Sequence, residues 1–461
     1  MDTEMKILIK GAGDLATGIA SRLYHSGHQI IMTEISIPLT VRRMAALSRA
    51  VYEGRAAVED MTGVLVHSME EAESVLETGD IPVIVDEKAE ISEEYKPDVI
   101  VDAILAKRNL GTRITDAPFV IGIGPGFTAG IDCHCVVETM RGHTLGKTIY
   151  KGGAIPNTGI PGNLGGFTTE RLIRASADGV MEPRAAIGDI VEKGQLVAVT
   201  GDKEVYAQMS GVVRGMLQPG VKVWENLKIG DIDARCEARH CFTISDKSRA
   251  IGGGVLEAVA RFEYIRGKYA IVVLAAGQGV RFGSNKLMAM VSGKPLYQHT
   301  LDTLKAFLDF PVFWVTGYEE IAEAADRLGV EAIINKEPEL GISRSIQLGM
   351  EACLRRYPQI QGILFSVCDQ PNLQSSTIQK IFNDAGLHKG KVICTSHQGR
   401  PGNPVLWDRQ FFPQLMKLTG DNGGKHIMSD VLEKVRYVEA QEKELEDIDF
   451  KIDILKQGYG E

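Results

Sequence analysis

Short apolar runs alternate with helix-like stretches in two long parts of this chain, and that rhythm confines both parts to parallel α/β sheets. From Lys6 to about Phe127 the runs are Ile7–Ile9, Ile30–Met32, Val64–Val66, Val83–Val85, Val99–Val101 and Val120–Ile123. Each is of strand length, and parallel strands need a crossover between them, usually a helix. The rhythm resumes at Ala270–Leu274 and continues with helical stripes such as Leu301, Leu304 and Leu308, or Ile346, Met350 and Leu354. Between the two parts the texture changes. Gly152 to Gly166 is rich in glycine, proline and asparagine, which excludes regular structure there. Short strand-like pieces with glycine turns, Gly188-Asp189-Ile190-Val191 and Gly220-Val221-Lys222-Val223 among them, predict a small all-β domain between Val180 and Arg235. The expected organisation is an α/β domain over 1–150, the loop and β domain over 151–265, and a second α/β domain over 268–461. A helix through Leu256–Phe262 leads to the polar linker Arg266-Gly267-Lys268.

Composition narrows the function classes. A length of 461 residues suits about three domains. A net charge of −9 argues against a general nucleic-acid binder, which needs a basic stripe to neutralise phosphates. No run of about 18 apolar residues predicts a membrane span, and Met1-Asp2-Thr3-Glu4 lacks the basic flank of a signal peptide. Seven scattered cysteines do not form a disulfide framework. A cytoplasmic location is the expectation.

The strongest chemical signal follows the Ala270–Leu274 run. In Leu274-Ala275-Ala276-Gly277-Gln278-Gly279-Val280-Arg281-Phe282-Gly283-Ser284-Asn285-Lys286 the glycines let backbone N–H groups approach a triphosphate, and Arg281 and Lys286 supply positive charge. The spacing is not that of a Walker loop. A tight turn would use the same glycines, so the second element matters more. Val367-Cys368-Asp369-Gln370-Pro371 ends another apolar run, which places Asp369 at the carboxyl end of a strand, the ligand-binding edge of an open sheet. There it can hold Mg²⁺, which takes one or two carboxylates together with substrate phosphates.

These segments resemble the MobA-like nucleotidyltransferase family that completes the molybdenum cofactor, whose fold is that of the nucleotide-diphospho-sugar transferases. Leu274–Lys286 looks like its nucleotide loop and Asp369-Gln370-Pro371 like its metal motif. Gly341-Ile342-Ser343-Arg344-Ser345, Arg400-Pro401-Gly402-Asn403-Pro404, Gly420-Asp421-Asn422-Gly423-Gly424 and Asp447-Ile448-Asp449 match further segments in the same order. The sequence departs from the family at Phe282, at Arg344 and over Phe450-Lys451-Ile452-Asp453. The resemblance implies that Leu274, Ala275, Ala276, Gly277, Gly279, Ser343 and Ser345 bind nucleotide. It implies that Pro401, Asn403 and Asp421 bind the pterin substrate, and that Asp369 with Asp449 binds Mg²⁺. Cytidylyl members carry Leu-Ala-Ala-Gly where guanylyl members carry Leu-Ala-Gly-Gly, so Ala276 implies CTP. The implied reaction is in-line attack by the terminal phosphate of molybdopterin on the α-phosphate of CTP. Positioning and charge neutralisation do most of such work. A sugar-phosphate nucleotidyltransferase shares the nucleotide loop and the aspartate, and a chaperone delivering cofactor to an apo-hydroxylase is a third reading.

The N-terminal half has its own glycine turn. Lys6–Lys10 runs into Gly11-Ala12-Gly13-Asp14, a strand, turn and helix start as in a Rossmann-like unit, and Glu34 sits where such folds place a ribose-binding acid. Asp14 pulls the other way, since a carboxylate at the helix N-terminus competes with a pyrophosphate for the same dipole end. The pieces from Gly188 to Asn226 resemble a biotinyl- or lipoyl-type barrel-sandwich. The nearby Lys203 lies on too short a hairpin for a carrier arm, so a structural or docking module is expected. Asp132-Cys133-His134-Cys135 reads two ways: a chemical group, binding a soft metal or carrying sulfur or selenium on thiols whose pKa an adjacent imidazolium lowers, or buried strand packing. Residues 5–262 as a whole resemble the accessory protein of selenium-dependent molybdenum hydroxylase systems, the YqeB family. That resemblance rests on Gly11–Asp14, Asp102–Lys107, Gly124–Phe127 and the loop from Gly152. Gly11, Gly13, Glu34, Cys133 and Cys135 are the candidate ligand residues that the turn, the spacing and the thiols give this half. An apo-molybdenum hydroxylase is the implied partner.

Overall fold

The structure is a computed structural model describing residues 4–157, 159, 166–277, 282, 285–308, 310–450 and 453. The chain divides into two compact units, Met1–Ala260 and Arg261–Glu461.

The first unit is built on a nine-stranded sheet. Its parallel strands include β1 (Lys6–Lys10), β2 (Gln29–Glu34), β3 (Ile81–Val85), β4 (Val99–Asp102), β5 (Phe119–Ile123) and β6 (Cys135–Val137), side by side in the order β3-β2-β1-β4-β5-β6. That is the doubly wound order of a Rossmann fold, with its switch point between β1 and β4. Both faces are covered, so β1 is apolar throughout its centre, with Ile7, Leu8 and Ile9 all buried. Helix α1 (Asp14–Tyr24) starts directly from the glycine turn and buries Ala16, Ile19, Ala20 and Leu23. Gly11 takes φ +95°, a conformation only glycine adopts without strain.

Residues 172–233 form two four-stranded antiparallel sheets around Met181, Val197, Val213 and Ile229. This is the expected barrel-sandwich-like β domain. Lys203 follows a two-residue turn and pairs with Thr200, as its short hairpin implied.

Helix α2 (Asp246–Arg266) carries the chain from the first unit into the second. The expected helix, Leu256–Phe262, is only its second half. Gly252-Gly253-Gly254 hides the rest, because each glycine lowers helix propensity by about 1 kcal/mol. Tertiary packing overrides that cost. A Cβ at Gly252 would overlap the carbonyl oxygen of Gly18, and one at Gly254 that of Gly146.

The second unit has a seven-stranded sheet. Its strands are β7 (Tyr269–Ala275), β8 (Val312–Thr316), β9 (Glu331–Ile334), β10 (Gly362–Val367), β11 (Val392–His397), β12 (Arg400–Asp408) and β13 (Val435–Glu439). They lie in the order β9-β8-β7-β10-β12-β11-β13, and only β12 runs against the others. Chain order reverses on either side of β7, so the carboxyl ends of β7 and β10 flank the switch point, where open α/β sheets bind ligands. Helix α3 (Ile342–Arg356) packs Ile346, Gly349 and Met350 toward the sheet. The fold class expected from the sequence is the one observed. Among the described residues no helix is long and apolar enough to cross a membrane.

Candidate active site

Leaving β7, Leu274-Ala275-Ala276-Gly277 forms one wall of a cavity of about 300 Å³ at the switch point. Ala275 and Ala276 are buried, and a Cβ at Gly277 would meet only open space. The backbone there is therefore approachable by a ligand, and the Tyr318 hydroxyl donates to the Gly277 carbonyl at 3.1 Å. Lys286, Ser345, Asp369 and Asp421 line the same cavity. Gly279 and Arg281, expected in the nucleotide loop, lie outside the described residues.

Asp369 leaves the end of β10, as the sequence predicted. Its Oδ2 accepts from Lys286 Nζ at 2.6 Å, and its buried Oδ1 has no hydrogen-bond partner. The same ammonium donates to Asp449 Oδ1 at 3.2 Å, so Lys286 bridges both carboxylates expected to hold a metal. Burial opposes its charge, but the attraction of Asp369 and the hydrogen bonds to both aspartates raise its pKa.

Asp447 adds a third carboxyl that the reading by residue type did not assign a role. Desolvation first, then the charges of Asp369 and Asp449, push it up to about 6. Gln370 Nε2 donates to Asp447 Oδ1 at 2.9 Å, tying the residue after Asp369 to the C-terminal segment. The only advance signal was the Asp-x-Asp pattern. Among the described residues no group of three or more His, Cys, Asp or Glu side chains is spaced to hold a metal ion, but the unpaired Oδ1 of Asp369 is a hard oxygen donor of the kind Mg²⁺ takes one or two of, beside substrate phosphates.

A larger cavity of about 650 Å³ adjoins the first, and Leu274, Ile342, Val367 and Asp421 line both. Pro401, Asn403 and Asp421, expected at the substrate, all line it. His397, Arg400 and Lys425 do so too, and sequence reasoning gave them no role. The expected substrate loop is in fact the first half of β12, with a cis Asn403-Pro404 bond and a register shift opposite Cys394 and Thr395. Ser343 does not line either cavity. Its hydroxyl donates to the Leu340 carbonyl at 3.3 Å and ties down the turn before α3.

Two expectations for the first unit meet a different geometry. Glu34 turns back on its own sheet edge, where Oε2 accepts from Ala12 N–H and Oε1 from Ile35 N–H, each at 2.9 Å. It therefore closes the Gly11–Gly13 turn and does not project toward a ribose. Asp14 sits in the first turn of α1, where the sequence placed it, and pairs with Arg42 at 3.1 Å. Cys133 and Cys135 are fully buried, and desolvation pushes the Cys133 thiol up to about 12. His134 stacks on Phe119, and its Nδ1 accepts from Val120 N–H at 2.9 Å. Burial lowers its pKa to about 4, so the imidazolium invoked to activate the thiols does not form at neutral pH. The structure overturns the premise of a reactive pair and favours strand packing.

Residues 271–437 match the MobA-like NTP transferase domain. The chain is similar to YqeB of Escherichia coli, with 51% identity over 253 residues; these are 55% of this chain and 47% of that protein. It is 26% identical over 181 residues to a Geobacillus protein named "Probable molybdenum cofactor guanylyltransferase", covering 38% of this chain and 88% of the other. It is also 31% identical over 134 residues to the bifunctional protein GlmU of Bifidobacterium longum subsp. infantis, 27% of this chain and 29% of that one. The chain thus spans about half the length of YqeB, and it joins a YqeB-like stretch to a nucleotidyltransferase domain.

Proposed function

We propose that the second unit transfers a cytidylyl group from CTP to the terminal phosphate of molybdopterin, releasing diphosphate, and that the whole chain serves maturation of a molybdenum hydroxylase. The observation that carries this reading is the pair of adjoining cavities at one sheet edge. The smaller has the nucleotide-loop backbone, Lys286 and Asp369; the larger has Pro401, Asn403 and Lys425. A transfer between two bound substrates needs that adjacency, because orientation supplies much of the rate.

Asp369 and Asp449 would hold Mg²⁺, which would neutralise phosphate charge during transfer. Lys286 shares those carboxylates and offers its ammonium to the leaving diphosphate, a task Arg281 shares. Asn403 and Asp421 orient the pterin substrate. The attacking phosphate is already ionised, so no side chain has to remove a proton. The preference for CTP rests on Ala276 and on the small, closed wall of Leu274–Gly277. Discrimination of about 1–3 kcal/mol per well-read contact is the range expected.

Two relatives favour specific alternatives: GTP as nucleotide, from the guanylyltransferase name, and a sugar phosphate as acceptor, from GlmU. One experiment separates all three. Full-length protein with Mg²⁺ is given CTP, GTP or UTP together with molybdopterin or a hexosamine phosphate, and diphosphate release and the dinucleotide product are measured. CTP with molybdopterin should exceed every other pair at least tenfold. Equal rates with GTP would remove the cytidylyl assignment, and transfer only to the sugar phosphate would remove the pterin.

A further inference from the structure

The first unit contains a cavity of about 520 Å³ that the proposed reaction does not use. It opens where Gly13 and Asp14 follow β1 and Pro125 follows β5, at the carboxyl edge of the Rossmann-like sheet. The β domain contributes Arg171, Arg214, Lys228 and Asp231 to its lining. Six cations line it, Arg42, Arg141, Arg171, Arg214, Lys228 and Lys247, against two carboxylates, Asp14 and Asp231. In a chain of net charge −9 such a concentration runs against the composition.

Three of the six are committed to structure. Arg42 binds Asp14 and the carbonyls of His240 and Thr243, Arg171 pairs with Asp231, and Arg141 reaches Asp246 at 2.9 Å. The other three lack a close counter-ion. Arg214 has a side chain only 9% exposed and a buried Nε with no acceptor. Its nearest carboxylate, Asp233 at 3.8 Å, is already held by Arg235 at 2.7 Å. Lys228 stands 3.8 Å from Asp231, which Arg171 already holds. Lys247 forms no ion pair among the described residues. Desolvation depresses the pKa of all three, with a nearby arginine adding to the effect in each case. Of the three only Arg214 is drawn out of water, the Lys228 side chain being 39% exposed, and a buried cation without equal negative charge is unfavourable unless an anion completes the set.

We propose that this cavity binds a small molecule bearing a phosphate or diphosphate ester, held by Arg214, Lys228 and Lys247. Three converging cations match a di- or trianion, and a monocarboxylate would leave two of them unpaired. The cavity is of ordinary ligand size, so it has room for an organic group beside the phosphate. Its lining has no aromatic side chain among the described residues. Ala12 N–H is taken by Glu34, and Asp14 occupies the start of α1. The anion is therefore gripped by side chains and not by the glycine turn, unlike a dinucleotide in a Rossmann fold.

The test is calorimetric titration of full-length protein with pyrophosphate, orthophosphate and citrate in EDTA, which disfavours metal-assisted binding in the transferase unit. Pyrophosphate should bind at a site that Arg214→Met and Lys247→Met each weaken at least tenfold, while Lys88→Met, at an exposed lysine outside the cavity, changes the affinity less than twofold. Lys247 is partly exposed, so its variant serves if removal of the buried arginine prevents folding. Absence of pyrophosphate binding to wild type would overturn the proposal. So would binding lost in Lys286→Met but kept in Lys247→Met, or citrate binding tighter than pyrophosphate.

Discussion

Replacing Lys286 with methionine isolates the electrostatics of the carboxylate cluster, because the apolar stem is kept and only the charge is lost. The oxygens of Asp369 and Asp449 lie 2.6 and 3.2 Å from Nζ, so they are at most about 6 Å apart. Two like charges at that separation repel by about 3 kcal/mol at an effective dielectric of 20. Asp449 is 42% exposed, and solvent screening should leave roughly half of that. A loss of about 1–2 kcal/mol follows, or roughly 2–8 °C in the melting midpoint of a unit this size. Trp314 and Trp407 are both buried in this unit, so tryptophan fluorescence reports its melting. Millimolar Mg²⁺ supplies the missing positive charge and should raise the midpoint more in the variant than in wild type. Nucleotidyl transfer should fall at least ~100-fold, as on removal of a single charge-stabilising group elsewhere. An unchanged midpoint, or equal Mg²⁺ increments in both proteins, would show that the carboxylates are not coupled through this ammonium.

Asp369→Asn keeps the shape but removes the charge facing Lys286, so transfer should be nearly abolished while the unit still folds; wild-type turnover would refute the metal assignment. Gly349→Ala would push a methyl into Val272 Cγ1 and to 3.2 Å from Val315 Cγ2. Overpacking of about 1–3 kcal/mol should outweigh the helix propensity gained, and because Ser345 lies one turn earlier on α3, the Kd for nucleotide should rise with the fall in midpoint. A stabilised variant would show that the helix can shift freely. His134 has a folded pKa of about 4 against 6.5 in the unfolded chain, which takes up the proton that the folded chain refuses. Stability of the first unit should thus be complete above pH 6.5 and fall as pH drops toward 4, by at most about 3 kcal/mol. His134→Asn, which keeps an acceptor for Val120 N–H, should flatten that part of the urea-midpoint profile, and an unaltered slope would locate the proton uptake elsewhere.

What could be read in advance was what local sequence determines. An apolar strand running into Leu274–Gly277 and another ending at Asp369 set two edges of one site, because strand ends in a parallel sheet share a side. Lys286 was legible as a cation but not as the bridge between residues 83 and 163 positions away, since that pairing exists only once the C-terminal segment returns to the sheet edge. The segment from Arg400 to Pro404 was read by resemblance as a substrate loop, yet a register shift in the pairing with β11 accommodates its two prolines in a strand. Cys133 and His134 misled for the opposite reason. Adjacency in sequence suggested electrostatic help, while burial keeps the imidazole neutral and the thiol protonated.

Helix α2 bears on how this chain can be taken apart or assembled by recombination. Its early turns rest on the first unit, where Gly252 meets Gly18 and Gly254 meets Gly146, while Ile265 near its end is buried in the core of the second and closes on Gly386. The division between the two units therefore falls inside a single secondary-structure element. A cut at the start of β7 leaves the transferase without Ile265. A cut before Asp246 strips the first unit of the helix that fills the groove beside Gly18. Any splice joining such halves has to fall inside the helix and keep its 3.6-residue phase, so insertions of one or two residues there should be far worse tolerated than in the surface turns.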